Sequence, residues 1–336
     1  MPDTRPGTRF KDGVCQACLN YDKRKEVDWE VREATLWGLC KAYKDMNREY
    51  DCVIAVSGGK DSYFLCHQMK RIGMKALLCT VTDSFKHTKV GQRNLRNLIE
   101  TFKWDHWQYT INHDLFKRAT RIGFETTGEA LKFVEYAIYT IPVKLAQMFH
   151  IPLVIYGENS AYEYGNTPTD SYDATPYIRR MVLKIKNEKM WWMKHGLTED
   201  EVESIMVRGY YPKVLYMSYF YPWSSLEHRD LAMSYGFHDL GNEWYREGTI
   251  ENFEQIDSYG YMVHLWLKYP KFGFQRVSDV ASRRVREGKL SLEDAKHLIA
   301  QEDPDLDECA MYDFCDTCGY SEKEFWQIVN RYTHTA

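Results

Sequence analysis

Residues 52–65, "CVIAVSGGKDSYFL", decide the fold. An apolar run of strand length breaks at Ser57-Gly58-Gly59, and the amphipathic pattern that follows Lys60-Asp61-Ser62 reads as a helix that Gly73 can terminate. Two glycines let the backbone approach a ligand without a Cβ, and the helix start turns free N–H groups toward an anion. Ser57 and Ser62 add hydroxyls and Lys60 adds a cation, while Asp61 is suited either to holding Mg²⁺ against phosphates or to capping the helix. The stretch therefore reads as a phosphate cradle. It is neither the Gly-x4-Gly-Lys-Ser/Thr loop nor the Gly-x-Gly-x-x-Gly turn of dinucleotide folds.

Working outward, the segments on either side repeat a strand–helix rhythm. "DWEVREATLWGLCKAYKDM" is a helix with Asp28 as its cap, and "KALLCTVTD" is a second strand ending at Asp83. "GQRNLRNLIETFK" is a helix, "HWQYTIN" a third strand, and "TGEALKFVEYAIYTIPVKLAQMFH" a long helix that Pro142 is expected to break or kink. "IPLVIYGEN" is a fourth strand ending in Gly157-Glu158-Asn159. The alternation predicts a parallel sheet with helices on both faces and ligands at the carboxyl ends of the strands, where Ser57, Asp83 and Gly157 fall.

Past residue 160 the rhythm changes. "SAYEYGNTPTDSYDATPY" is an aromatic, polar stretch punctuated by glycine and proline, of a length that is often functional. "TEDEVESIMVRG" reads as a short capped helix, "KVLYMSYFYPW" as a fifth strand, "SSLEHRDLAMSYG" as a Ser-capped helix, and the chain from about 250 onward as helical.

Composition narrows the class. The 336 residues carry a net charge of −4, which gives no global basic field of the kind that drives nucleic-acid binding. No apolar run approaches the roughly 18–20 residues of a membrane span, and the first residues lack a signal peptide's apolar segment, so a cytoplasmic protein is expected. Nine cysteines without an export signal point to thiols or metal thiolates rather than disulfides.

Ser57-Gly58-Gly59-Lys60-Asp61-Ser62 resembles the pyrophosphate loop of the PP-loop ATP pyrophosphatases. Their members cleave ATP to AMP and pyrophosphate while adenylylating a carbonyl or carboxylate oxygen. The resemblance implies a five-stranded parallel sheet of the adenine-nucleotide alpha-hydrolase type, with Asp83 against the nucleoside and Gly157, Glu158 and Asn159 closing over the nucleotide. Asp83 also reads as a strand-end turn residue, and Glu158 and Asn159 as loop punctuation.

Three further stretches resemble the N-acetyl sugar amidotransferases of surface-polysaccharide biosynthesis (O-antigen and nonulosonic acid): "MPDTRPGTRFKDGVCQACLNY", "TVTDSFKHTKVGQRNLRNL" and "IDSYGYMVHLWLKYPKFGFQRVSDVASRRVREGKLSLEDAKHLI". This second resemblance implies conversion of a sugar acetamido group to an acetamidino group through an adenylylated amide and ammonia, with ATP and Mg²⁺ required. It assigns catalysis to Lys60 and Asp61. It divides the chain into an N-terminal Cys-containing segment with a helix (1–48), an ATP pyrophosphatase domain (49–248) and a helical C-terminal region (249–336). No glutaminase signature is present, so ammonia is expected from a partner, and the resemblance implies partners similar to the glutaminase and cyclase subunits of histidine biosynthesis.

An anionic sugar calls for basic and aromatic side chains. Tyr219, Tyr221 and Trp223 at the fifth strand's end, and the basic set His264, Lys268, Lys271, Arg276, Arg283 and Arg286, are the candidates. The pairs Cys15/Cys18 and Cys315/Cys318 supply four thiolates, enough for a structural Zn²⁺ if the fold joins both ends of the chain, with Cys309 a substitute ligand. Reduced thiols, or a sulfur-carrying pair as in PP-loop tRNA sulfur transferases, are the competing readings. A nucleotide-binding scaffold without chemistry is the third alternative for the whole protein.

Overall fold

The computed structural model describes residues 2–159, 164 and 171–333, so most of the aromatic stretch from residue 160 lies outside the described residues. A short hairpin, β1 (Phe10–Lys11) and β2 (Val14–Cys15), leads into α1 (Gln16–Arg24) and α2 (Trp29–Lys44). Asp28 caps α2 as expected, its carboxylate accepting from Val31 N at 3.0 Å. All five expected strands follow: β3 (Cys52–Ala55), β4 (Ala76–Thr82), β5 (His106–Thr110), β6 (Leu153–Tyr156) and β7 (Lys213–Tyr216). They form one sheet in the order β5-β4-β3-β6-β7 with every pair parallel, the fold class that the sequence implies.

The order places the site. The chain steps from β3 to β4 to β5 in one direction and then returns to lay β6 on the other side of β3, with Val53 opposite Val154 and Ile54 opposite Ile155. Loops leaving β3 and β6 diverge there and open a crevice. The glycine loop leaves β3, and Gly157-Glu158-Asn159 leaves β6. β3 and β6 are buried almost throughout, as parallel strands covered on both faces must be.

Several helices depart from the sequence reading. The helix through Pro142 runs unbroken over Lys132–Met148. Proline has no N–H to offer the carbonyl of Ile138, and the Tyr156 hydroxyl donates there instead (3.2 Å) and to Tyr139 O (2.9 Å). The sequence reading missed two helices, His113–Thr127 and Thr175–Lys194. It also extended helix over residues 250–258, where the chain is irregular. There the buried Arg246 donates to the carbonyls of Glu251, Glu254 (2.8 Å) and Gln255 (3.1 Å), satisfying groups that a helix would have paired internally. Among the described residues no helix is long and apolar enough to cross a membrane.

One apolar cluster runs from Leu36 through the sheet to Val329. The C-terminal region, helical from Tyr261 to Val329, packs back on the sheet's carboxyl edge. Tyr259 N donates to Lys86 O (3.0 Å) and Thr88 N to Asp257 O (3.1 Å), which lays residues 253–259 across the loop after β4. Arg5, in the sequence "MPDTRPG", pairs with the buried Asp279 and lies over the Phe274 ring at 4.7 Å. Two stretches quoted above as family-like, far apart in sequence, thus touch.

Candidate active site

Gly58 adopts φ 86°, in the left-handed region, and a Cβ there would lie 2.8 Å from the Leu95 backbone, so both conformation and space demand glycine. The Ser62 hydroxyl accepts from Ser57 N (2.9 Å) and the Ser57 hydroxyl from Gly59 N (3.3 Å), which fixes the loop around the start of α3 (Lys60–Ile72). Gly73 ends α3 in the left-handed conformation. The loop, from Ser57 to Ser62, lines a cavity of about 410 Å³ together with Asp83, Gly157, Glu158, Phe253–Asp257 and Arg276. That volume lies in the range of single-ligand sites.

Lys60 does not project into water. It is 4% exposed, with its ammonium 2.7 Å from Asp61 Oδ2 and 2.9 Å from Glu254 Oε1. Glu254 is a hub that the sequence reading missed: it also takes Arg283 Nη2 at 2.9 Å, the Ser225 hydroxyl at 2.5 Å and Arg276 Nη2. Burial opposes ionisation of Glu254, but Lys60, Arg283 and Arg276 outweigh it and hold the carboxyl well below its usual range. Asp61 behaves alike: burial pushes it up, while Lys60 and His228 bring it well down. Lys60 is raised despite burial by Asp61, Glu254 and Glu158.

His228 was also missed. Its Nδ1 lies 2.6 Å from Asp61 Oδ1, and its ring stacks on Phe64 at 3.9 Å, so it orients the carboxylate from behind. A lone histidine in a Ser-capped helix carries no local signal for this role. Asp61 lines the cavity with its side chain 29% exposed, which fits a Mg²⁺ held mainly by nucleotide phosphates and one carboxylate.

Asp83 sits in a strand-end turn and also lines the cavity. It accepts from Phe85 N (3.0 Å), and Ser258 donates to it at 3.2 Å. His87 sits 3.4 Å away and is raised to about 9, chiefly by its hydrogen bond to Asp83. Asn159 is buried, with its N–H on the Ser218 hydroxyl at 3.0 Å. Gly157 gives space to Trp223, whose ring would lie 3.1 Å from a Cβ at that position.

The substrate candidates divide. Arg276 reaches the cavity. Trp223 stands beyond Glu158, donating to its carboxylate at 3.2 Å. Tyr221 donates to Glu33 (3.1 Å), and Tyr219 packs under Arg32 at 3.9 Å, outside the cavity. Three basic candidates instead bind the fold together: His264 to Glu135 (3.1 Å), Lys268 to Asp279 (2.8 Å) and Lys271 to Gly128 O (2.8 Å).

The expected zinc site is not assembled. Among the described residues no three His, Cys, Asp or Glu side chains are grouped to hold a metal. Cys315 and Cys318 lie in the helix Glu308–Cys318 with both thiols in the apolar core, and Cys309 is exposed. Cys15 and Cys18 lie 3.5 Å apart at the start of α1, where sharing a hydrogen bond with Cys18 brings Cys15 down to about 5 and pushes Cys18 up.

With this geometry in view, comparison with known proteins is informative about one part of the chain. Residues 247–336 match the family described as "LPS biosynthesis protein WbpG-like, C-terminal domain". That match includes Glu254, Arg276 and Arg283. No curated protein matches significantly. Solved structures similar to this chain include NMN synthetase from Francisella tularensis, at 11% identity over 89% of this chain and 96% of that one, TM-score 0.37. NH3-dependent NAD synthetase from Campylobacter jejuni is 15% identical over 52% and 81%, TM-score 0.33. A predicted subunit of tRNA methyltransferase from Methanocaldococcus jannaschii is 15% identical over 71% and 89%, TM-score 0.30. Likenesses this distant leave the functional argument with the residues of this chain.

Proposed function

We propose that this protein is an ATP-dependent, AMP-forming amidotransferase of surface-polysaccharide biosynthesis, converting a sugar acetamido group to an acetamidino group. The observation that carries the proposal is the Lys60–Glu254 contact: the segment matching a lipopolysaccharide-biosynthesis family closes over the glycine loop and supplies the carboxylate that holds its lysine. An amide carbon is a poor electrophile. Attack of the amide oxygen on the α-phosphorus of ATP breaks the bond to pyrophosphate and leaves the carbon bearing an AMP leaving group. Ammonia then forms the C–N bond as the C–O bond breaks, AMP departs, and protons pass to solvent or a nearby carboxylate. Lys60 and the N-terminus of α3 would stabilise the pyrophosphate, and Asp61, steadied by His228, would hold Mg²⁺, which supplies charge neutralisation when bound.

Ammonia would come from a separate glutaminase with a cyclase-type subunit, in a complex with this protein. Sulfur transfer to tRNA has less support, because neither Cys-x-x-Cys pair lines the nucleotide cavity. Incubation with ATP, Mg²⁺, ammonium and UDP-N-acetyl sugars tests the reading: AMP and a product with imino nitrogen in place of carbonyl oxygen, read by mass spectrometry, are expected. AMP release only with tRNA and a sulfide donor would overturn it.

A further inference from the structure

A second cavity, of about 370 Å³, opens on the other side of Glu158. Among the described residues Glu158 alone lines both cavities. We propose that this second cavity is the acceptor site, and that it takes an anionic, ring-bearing ligand of the sugar-phosphate class while ATP occupies the first. The assignment rests on the amidotransferase reading for the identity of the reaction, but not for the binding.

Size is the first argument. The first cavity suits one nucleotide-sized ligand, and a two-substrate reaction needs room for the other within reach of the α-phosphate. Chemistry is the second. Trp223 and Trp29 provide two indole faces, and the basic side chains around them outnumber the acidic ones, five to three. A pyranose or base presents an apolar face to such rings, and Arg recognises phosphate or carboxylate through paired N–H donors.

The wall is built before any ligand arrives. Trp223 is held edge-on to Phe64 (5.5 Å) and His228 (4.5 Å) and donates to Glu158. Arg24 lies over the Trp29 ring at 5.1 Å and donates to the carbonyls of Ser218 and Tyr221, both at 3.1 Å, so the N-terminal helix is fastened to the loop after β7. Rigid aromatic surfaces of this kind lose little entropy on binding.

The third argument is linkage between the cavities. Arg283 lines the second cavity while its guanidinium contacts Glu254, the carboxylate that holds Lys60 in the first. Glu158 also acts on Lys60 electrostatically. A ligand anion beside Arg283 therefore sits one residue away from the glycine-loop lysine. Arg286 lines the second cavity and not the first.

Binding without turnover tests this. Tryptophan fluorescence of the full chain would be titrated with UDP-N-acetylglucosamine, UDP-N-acetylgalactosamine, N-acetylglucosamine 1-phosphate and N-acetylneuraminic acid, each with and without saturating ATP. At least one should bind in the presence of ATP without competing. Arg286→Gln should weaken that ligand by about tenfold or more and leave ATP affinity unchanged. Trp29→Leu should weaken it too, with its melting temperature showing that the fold is retained. Competition with ATP, failure of all four ligands to bind, or unchanged affinity in Arg286→Gln would overturn the assignment. If a sugar binds alongside ATP as expected but no AMP forms with ammonium, the acceptor site stands and the amidotransferase reading falls.

Discussion

The C-terminal region carries two sets of charges that look alike in sequence and act differently. Arg276 and Arg283 converge with the glycine-loop lysine on Glu254, whereas His264, Lys268 and Lys271 each meet a separate partner away from the cavity. The first set is buried, and its charges are interdependent. Removing one member strands the others in a medium that solvates them poorly, while the contacts of the second set go to three different partners.

The largest effect should come from breaking the first set at its hub. Glu254→Ala leaves Lys60, Arg276 and Arg283 facing one another without their shared carboxylate, and should cost about 3–5 kcal/mol of stability in chemical denaturation. The depressed carboxyls of Glu254 and Asp61 contribute stability that is fully present above about pH 4 and is lost as pH falls. Glu254→Gln should accordingly flatten the acid limb of the stability–pH curve. An acid limb unchanged from wild type would mean that the hub is not ionised.

Lys60→Met tests function within the same set. It removes the ammonium from the loop and keeps most of the side chain's volume, and AMP formation should fall by about 10²–10³-fold. ATP affinity should fall less, because the backbone N–H groups of the loop remain. A variant with unaltered AMP release would take Lys60 out of the chemistry.

In the second set, Asp279→Asn removes the charge that Arg5 and Lys268 share, and should cost about 2 kcal/mol with no change in ATP affinity. A fall in ATP affinity equal to that of the loop variants would erase the distinction between the two sets.

The contrast also explains what was legible from sequence. The strands, the glycine loop, Gly73, Asp28 and the Ser224 cap depend on neighbours a few residues away, and local pattern places them. Glu254 and His228 act through contacts with a loop far off in the chain, and only the packing of the C-terminal region reveals them. Basic residues were grouped by proximity in sequence, yet the fold sent Arg276 to the cavity and Lys271 to a backbone carbonyl. The cysteine pairs misled for the same reason, since spacing says nothing of whether a thiol faces a metal or a core.

The smallest effect belongs to the pair Asp83 and His87 after β4, of which Asp83 lines the cavity. His87 is raised to about 9 in the folded chain, above its usual value near 6.5. Its contribution is then fully present below about pH 6.5 and is lost as pH rises through 9, the reverse of the carboxylates. With the imidazole partly exposed and 3.4 Å from Asp83, the contribution should be about 1 kcal/mol. His87→Gln should leave stability at pH 9.5 close to wild type and lower it at pH 6. A loss of the same size at both pH values would assign His87 to packing rather than charge, and Asp83 would then hold the strand end without an imidazolium beside the cavity.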